Sequence, residues 1–308
     1  MIVYRELSSL VRDLGVDAKT LYALSNSVAK HYHPVRLSKR GGGYRELSVP
    51  DEPLKRVQRR ITQVLLVHMP VSPYATAYRY GASPYRNALP HVGQPAVLKL
   101  DIRHFFDSIL YSAVKEKAFP ARNYSEPLRV LLTMLCYYRD ALPQGAPSSP
   151  AITNILMADF DAQVGEWCQE RFIRYTRYCD DMTFSGRFAP GEVLAFVEPR
   201  LREKGFFLNE KKTRFIPAGQ RQIVTGVVVN EKPSAPREYL RRLRQEVYFC
   251  QRYGVESHMA RQGIAGPRQR YLRQLLGRVE YALQISRGQR ELLAERAWLL
   301  QALACEEP

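Results

Sequence analysis

The sequence predicts an α+β protein, with a small antiparallel sheet that presents acidic side chains, helices packed behind it, and a helical C-terminal unit. Three observations predict it. Tyr178-Cys179-Asp180-Asp181 lies between two β-forming runs, 172–177 and 182–185, and reads as a hairpin with an acidic pair at its turn. Val97 to Ile102 is an apolar run of strand length that carries Asp101 near its end. After Lys232 no lysine remains, and arginines crowd three stretches of helical apolar spacing punctuated by Gly254 and Gly288.

The acids set the chemistry. Adjacent strand residues point to opposite faces, but a turn can aim the carboxylates of Asp180 and Asp181 into one volume. Carboxylates that close repel, and a cation between them keeps both ionised. Hard oxygen ligands without His or Cys suit Mg²⁺, with Mn²⁺ as a substitute, rather than Zn²⁺. Asp101, on a strand expected beside the hairpin, supplies a third carboxylate. Three carboxylates on two neighbouring elements can hold two divalent ions about 4 Å apart, the arrangement used for in-line phosphoryl transfer. An isolated acidic pair is more often an ordinary surface turn, so the reading rests on all three acids together.

The bulk properties agree with such a site. The chain has 308 residues, 45% of them hydrophobic, and a formal net charge of +16. That excess favours a polyanion, nucleic acid first and an anionic membrane surface second. No apolar run approaches bilayer length, and the N-terminus lacks the layout of a signal peptide. Cys136, Cys168, Cys179, Cys250 and Cys305 are scattered without Cys-x-x-Cys spacing, which reads as free thiols in a reducing cytoplasm.

In chain order, residues 1–32 read as two short helices that cap the core. Residues 33–50 read as a basic hairpin, with Arg36, Lys39 and Arg40 ahead of Gly41-Gly42-Gly43 and a return strand through Arg45. Cations flanking a glycine tip could close over a triphosphate. Asp51 caps the next helix, with Pro53 in its first turn, and Pro70 stops it. Residues 74–95 form a loop-rich link whose tyrosines and arginines could stack on unpaired bases or bury their rings. After the Asp101 strand, alternation puts one of Phe105 and Phe106 inside and one outside. Helices follow over Ser108–Phe119 and Ser125–Tyr138. In Leu142 to Pro150, Gly145 frees the backbone for close approach to a substrate. Pro150 opens one long helix with Ile152, Ile155, Phe160, Val164 and Trp167 on one face. Pro190 to Lys204 is a helix ended by Gly205, and 223–230 is β-rich. The last helices are expected over Pro236–Tyr253, Pro267–Ser286 and Gln289–Leu303; Leu292, Trp298, Leu299 and Leu303 of the last could pack internally or bind a partner, internal packing being preferred. Their arginines, Arg241, Arg242 and Arg270 among them, suit phosphate and RNA-groove contacts.

The order of these motifs resembles the reverse transcriptases: a strand Asp followed five residues on by Phe106, then Leu142-Pro143-Gln144-Gly145-Ala146-Pro147-Ser148-Ser149-Pro150, then Tyr178-Cys179-Asp180-Asp181. Asn87-Ala88-Leu89-Pro90-His91 and Val224-Thr225-Gly226 are similar to two motifs of the bacterial retron branch. Cys179 departs from that branch, where alanine is usual.

The resemblance implies a right-hand polymerase fold. N-terminal helices and fingers would occupy 1–95, the palm 96–232 with finger elements around 110–140, and a helical RNA-binding thumb 233–308. It implies that Asp101, Asp180, Asp181 and the Ile102 carbonyl hold two Mg²⁺ ions. Arg45 would contact the incoming nucleotide's phosphates, and spacing does not choose between Lys39 and Arg40 as its helper. Phe106 would pack under the sugar and exclude a 2′-OH, and Gln144 would lie near the nucleotide and the template base. Lys212, in the segment from Gly205 to Thr213, would offset charge or donate a proton at the pyrophosphate leaving group. Asn87, His91, Val224, Thr225 and Gly226 would belong to an RNA clamp, with His91 holding the loop. The implied activity is RNA-directed DNA synthesis on part of a cognate structured non-coding RNA, giving single-stranded msDNA primed from a 2′-OH. Its partners would be that RNA, its DNA product, dNTPs and an accessory effector protein in anti-phage defence. Three alternatives stand beside it: a diversity-generating or group II intron-type enzyme, a non-catalytic RNA-binding module of the same fold, and a metal-dependent nuclease. A short chain, expected to lack a maturase or nuclease extension, argues against the group II intron-type enzyme, intact acids and Gln144 argue against the non-catalytic module, and a nuclease does not need the nucleotide-binding motifs.

Overall fold

The computed structural model describes residues 3–38 and 42–304. The chain begins with α1 (Leu7–Leu14), α2 (Ala18–Asn26), β1 (Tyr32–Ser38), β2 (Tyr44–Pro50), α3 (Glu52–Val64), α4 (Pro84–Ala88) and β3 (Ala96–Arg103). It continues through α5 (Tyr111–Lys117), α6 (Glu126–Cys136), α7 (Ser149–Leu156), α8 (Ala158–Glu170), β4 (Arg174–Tyr178), β5 (Asp181–Ser185) and α9 (Pro190–Glu203). The rest is β6 (Phe207–Leu208), β7 (Arg214–Pro217), β8 (Ile223–Val224), β9 (Val227–Val228), α10 (Arg237–Tyr253), α11 (Val255–Arg261), α12 (Arg268–Ile285) and α13 (Arg290–Ala304). Two compact units result, one from Met1–Ala82 with Leu98–Phe215 and one from Ser83–Val97 with Ile216–Pro308. These packing units cut the chain differently from divisions at 95 and 232, because Ser83–Val97 packs with the C-terminal helices.

The first unit is built on a sheet in the order β4-β5-β3-β6. β4 and β5 are antiparallel, with Tyr178 opposite Asp181, so only Cys179 and Asp180 form the turn. Ile102 of β3 pairs with Leu208 of β6. Tyr175, Met182 and Phe184 of the hairpin share one core with Phe160 and Val164 of α8 and Val193, Val197 and Leu201 of α9. At about 25 cal/mol per Å² of apolar surface, each such fully buried side chain contributes about 1.5–3 kcal/mol. Local chemistry sets the helix starts: the Asp51 carboxylate accepts from Leu54 N at 3.2 Å, and Pro53 sits in the first turn of α3. Ser125 occupies the N-cap of α6, but its side chain makes no capping bond.

Three elements differ from the sequence expectation. The helix expected beyond Pro150 is interrupted at Met157, whose ψ of −1° leaves the helical value, so that α7 and α8 are separate. Asn154 and Asp161, on either side of that break, both hydrogen-bond Arg177. The second N-terminal helix, expected over Ala18–His31, stops at Asn26, and a 3₁₀ turn over Val28–His31 leads into β1. A short helix, α11, follows Gly254, whose φ of 86° turns the chain out of α10.

The second unit is helical. Leu243 and Val247 of α10, Leu272, Leu275 and Val279 of α12, and Leu292 and Leu299 of α13 form its core, 0–1% exposed. β8 and β9 make a minimal hairpin whose two turn residues, Thr225 (φ 46°) and Gly226 (φ 85°), are both left-handed. That is the backbone of a type I′ turn, which glycine enters freely and a β-branched residue rarely does. The four described cysteines, Cys136, Cys168, Cys179 and Cys250, are buried free thiols. No described helix is long and apolar enough to cross a membrane.

Candidate active site

The hairpin turn lies beside β3. Ile102 N donates to the Asp180 carbonyl at 3.0 Å, which brings the acidic pair next to Asp101. Asp101 is 5% exposed, while Asp180 and Asp181 are half-buried. Burial, and next the negative charge of Asp180, push the Asp181 carboxyl up to about 6, with Asp101 adding to the effect and Lys99 and Lys212 opposing it. The three acids therefore lie within one another's field, as the sequence reading requires.

Asp101 is held by two residues from the segment after β6. Lys212 Nζ donates to its Oδ2 at 2.7 Å and Asn209 Nδ2 to its Oδ1 at 3.2 Å, while Asn209 N bonds the Asp101 carbonyl at 2.8 Å. Lys212, not Lys211, makes the contact. Burial works against the Lys212 charge, but the Asp101 hydrogen bond and the fields of all three carboxylates hold its pKa above the ordinary value. Asn209 as an Asp101 partner was not anticipated from sequence, although it lies in the segment that drew attention to Lys212.

Among the described residues no three His, Cys, Asp or Glu side chains are gathered as a ready metal cluster. The donor chemistry nevertheless fits a hard divalent cation: oxygen ligands only, with burial first and the repulsion of Asp180 and Asp101 next raising the Asp181 carboxyl to about 6. Such a cation would relieve that repulsion.

The residues expected around the nucleotide belong to the same unit. Phe105 is buried at 2% and Phe106 is half-buried. The Phe106 carbonyl accepts from Leu142 N at 3.2 Å, and the Gln144 carbonyl accepts from Ser48 N of β2 at 2.8 Å. The 142–150 loop thus ties Phe106 to the β1–β2 hairpin. Gln144 is half-buried, and Arg45 is exposed on β2 opposite Leu37. Lys39 and Arg40 lie outside the described residues. If Phe106 lines the sugar site, Phe106→Val opens space for a 2′-OH and is expected to lower discrimination against rNTPs by about tenfold or more. Competition between dNTP and rNTP in single-nucleotide extension reads this out, and unchanged discrimination would make Phe106 a packing residue.

The second unit holds the other motif residues. Asn87, His91 and Val224 are 1%, 0% and 0% exposed, so their side chains pack inside it. Thr225 Oγ1 accepts from Asn87 Nδ2 at 3.2 Å and donates to the Pro84 carbonyl at 3.0 Å. The β8–β9 turn is thereby tied to α4, with Gly226 left at its exposed tip. Thr225→Val keeps the β-branch and removes only the hydroxyl. Loss of both bonds is expected to cost about 1–3 kcal/mol, read as a lower melting temperature; an unchanged one would mean that the turn does not depend on them.

Several arginines of this unit are engaged within it: Arg244 pairs with Glu291, Arg268 with Glu256, Arg278 with Glu246 and Arg296 with Glu280. Arg241, Arg242 and Arg270 are exposed.

Comparison with known proteins follows the same lines. Residues 37–240 match the family model of the reverse transcriptases (RNA-dependent DNA polymerases). The chain is 34% identical over 283 residues to the retron Mx65 reverse transcriptase of Myxococcus xanthus, covering 84% of this chain and 66% of that protein. It is 28% identical to the retron Ec86 reverse transcriptase of Escherichia coli, covering 83% and 82% of the two chains. It is 32% identical to the retron Ec83 reverse transcriptase of the same organism, covering 73% and 77%.

Proposed function

The chain belongs to the reverse transcriptase family, within it to the retron reverse transcriptases, and from that premise we propose that it copies part of a cognate structured RNA into single-stranded DNA, starting from a 2′-OH of that RNA. Family membership makes it an RNA-directed DNA polymerase with the right-hand polymerase fold. The observation that carries its nucleotidyl-transfer chemistry is Asp101 on β3 beside Asp180 and Asp181, joined by the hydrogen bond from Ile102 N to the Asp180 carbonyl.

Divalent metal ions are general to the family. In this chain Asp101, Asp180, Asp181 and the Ile102 carbonyl would hold two Mg²⁺ ions. When bound, the ions supply charge stabilisation at the attacking and leaving oxygens of an in-line displacement. The protein's own groups do the positioning. Phe106 bounds the sugar, Gln144 stands at the end of a loop hydrogen-bonded to β2, and Arg45 offers a guanidinium to a triphosphate. Lys212 is a proton source for the leaving pyrophosphate, kept charged by the acids it faces.

A 2′-OH in flexible RNA is a poor nucleophile unless it is held in line with the α-phosphate. The motifs of the second unit support such a clamp. Buried Asn87 and His91 stiffen the segment before β3, and Thr225 and Gly226 form a turn near the surface. Exposed Arg241, Arg242 and Arg270 are suited to RNA phosphates. An accessory effector and a role in anti-phage defence belong to the same reading.

The test expresses the chain with its neighbouring genomic RNA and examines the DNA product before and after RNase and a debranching enzyme. A DNA still carrying a branched RNA nucleotide after RNase, released by debranching, is the expected result. Use of ordinary 3′-OH primers, with no branch and no preferred RNA, would favour a group II intron-type or diversity-generating enzyme instead.

A further inference from the structure

Beneath the acidic turn lies a charged group that the chemistry above does not use. Arg177, the last residue but one of β4, is 0% exposed, and so is Asp161 of α8. Arg177 Nε donates to Asp161 Oδ1 at 2.8 Å and Nη2 to Oδ2 at 2.6 Å, a bidentate fork. Tyr175 Oη donates to Asp161 Oδ1 at 2.9 Å, and Arg177 Nη2 reaches Asn154 Oδ1 at 3.4 Å. The main chain of Arg177 is pinned as well: its N bonds the Tyr74 carbonyl at 2.8 Å, and its carbonyl accepts from Thr76 N at 2.8 Å. The guanidinium thus has a single orientation. Its remaining bond runs from Nη1 to the Cys179 carbonyl at 2.8 Å, inside the turn.

That carbonyl belongs to the peptide between the two turn residues. In a two-residue turn this central peptide is the group that flips between turn types, changing ψ of the first residue and φ of the second. Cys179 has φ 62° and is the only one of the two with positive φ. A left-handed cysteine is a strained choice that persists only where its surroundings enforce it. The Asp180 carbonyl is held in turn by Ile102 N at 3.0 Å. Both peptides flanking Asp180 are therefore fixed, one by the Arg177 guanidinium and one by β3. Without the first, the central peptide is free to flip and the Asp180 carboxylate changes direction.

Stability alone is a weak reason for this arrangement. A buried ion pair is commonly replaceable by apolar side chains without loss of stability. An apolar pair cannot donate to the Cys179 carbonyl.

We propose that Arg177, oriented by Asp161, is a positioning residue for nucleotidyl transfer: its Nη1 fixes the Cys179–Asp180 peptide and so aims the Asp180 carboxylate at the divalent ions. This rests on the reading of Asp180 as a metal ligand.

The test uses the full chain bound to an RNA template, a dideoxy-terminated DNA primer and the next dNTP. Mn²⁺ binding is followed by electron paramagnetic resonance, and half-saturating Mg²⁺ is measured for incorporation on an extendable primer. In Arg177→Lys the ammonium keeps the charge but cannot span Asp161 and the Cys179 carbonyl together. Metal affinity is expected to fall about tenfold to a hundredfold, the usual effect of losing a group that orients a ligand. Arg129→Lys is the control, since Arg129 is also buried and paired, with Glu116 and Glu126, away from the hairpin. It is expected to lower the melting temperature while leaving Mn²⁺ binding unchanged. If Arg177→Lys does not fold, Arg177→Met combined with Asp161→Leu removes both charges together and is expected to show the same metal defect. Asp180→Ala in the same assay tests the underlying reading separately. Loss of Mn²⁺ in Asp180→Ala with wild-type Mn²⁺ binding in the folded Arg177 variant overturns the positioning role and leaves the metal site standing. Wild-type Mn²⁺ binding in Asp180→Ala overturns the reading on which the positioning role rests.

Discussion

Asp180→Ala is expected to lower Mg²⁺-dependent dNTP incorporation by about 10³-fold or more, the equivalent of about 4 kcal/mol of transition-state stabilisation. RNA binding should survive. Affinity for the template comes from phosphate contacts spread over a chain with net charge +16. Asp180 is half-buried and faces a repelling neighbour, so removing its charge does not leave a buried cation without a partner. Asp101→Ala is expected to be as inactive for a different local reason. It removes a ligand and also strands Lys212 and Asn209, which both bond the Asp101 carboxylate. Single-nucleotide extension alongside a filter-binding measurement at fixed salt separates the two effects. Activity within about tenfold of the unmodified chain, for either variant, would remove that residue from the site.

Gly145→Ala is the second change expected to act strongly. Gly145 has φ +123°, and a Cβ there would lie 2.8 Å from the Ser48 carbonyl oxygen and 3.2 Å from Val49 Cγ2. The contact is with backbone of β2, which cannot swing aside as a side chain would. Unfavourable φ and the collision together are expected to cost about 2–4 kcal/mol. For a unit of this size that is a fall of about 5–15 °C in melting temperature. The bond from Ser48 N to the Gln144 carbonyl should weaken with it. Because that bond joins the loop to the strand bearing Arg45, the KM for dNTP should rise while primer–template affinity holds. A variant with unchanged melting temperature and KM would mean that the 142–150 loop does not need to approach Ser48.

These two residues mark what could be read without a structure. Asp180 was legible because a hairpin is local: two β-forming runs, a two-residue turn and the acids at it are all contiguous. Gly145 was read as freeing the backbone for close approach to a substrate, whereas the close approach in the structure is to Ser48 and Val49 of β2. The β2 strand is almost a hundred residues earlier, and nothing in the spacing names Ser48. Alternation implied one of Phe105 and Phe106 inside and one outside but not which; the structure buries Phe105 and leaves Phe106 half-buried, both in the turn after β3. Asn87 and His91 were legible as a motif, and their depth inside the second unit was not, since a polar residue gives no sign of burial until its partner is known. The continuous helix beyond Pro150 was expected because its apolar positions keep one period. The structure interrupts it at Met157, and Asn154 and Asp161 on the two sides both reach Arg177.

By itself the sequence determined the identity of the local elements and the kind of chemistry they carry. Turn residues, caps, periodicity and adjacent carboxylates act over a few positions, and each of those effects is encoded by neighbours along the chain. Only the tertiary structure decided that Lys212 and Asn209 hold Asp101 across more than a hundred residues, and that Arg177 and Asp161 grip the turn from below. Those contacts depend on strand order and on which face of α8 meets the sheet. Hydrophobic periodicity says which side of an element is buried, but it does not say against what.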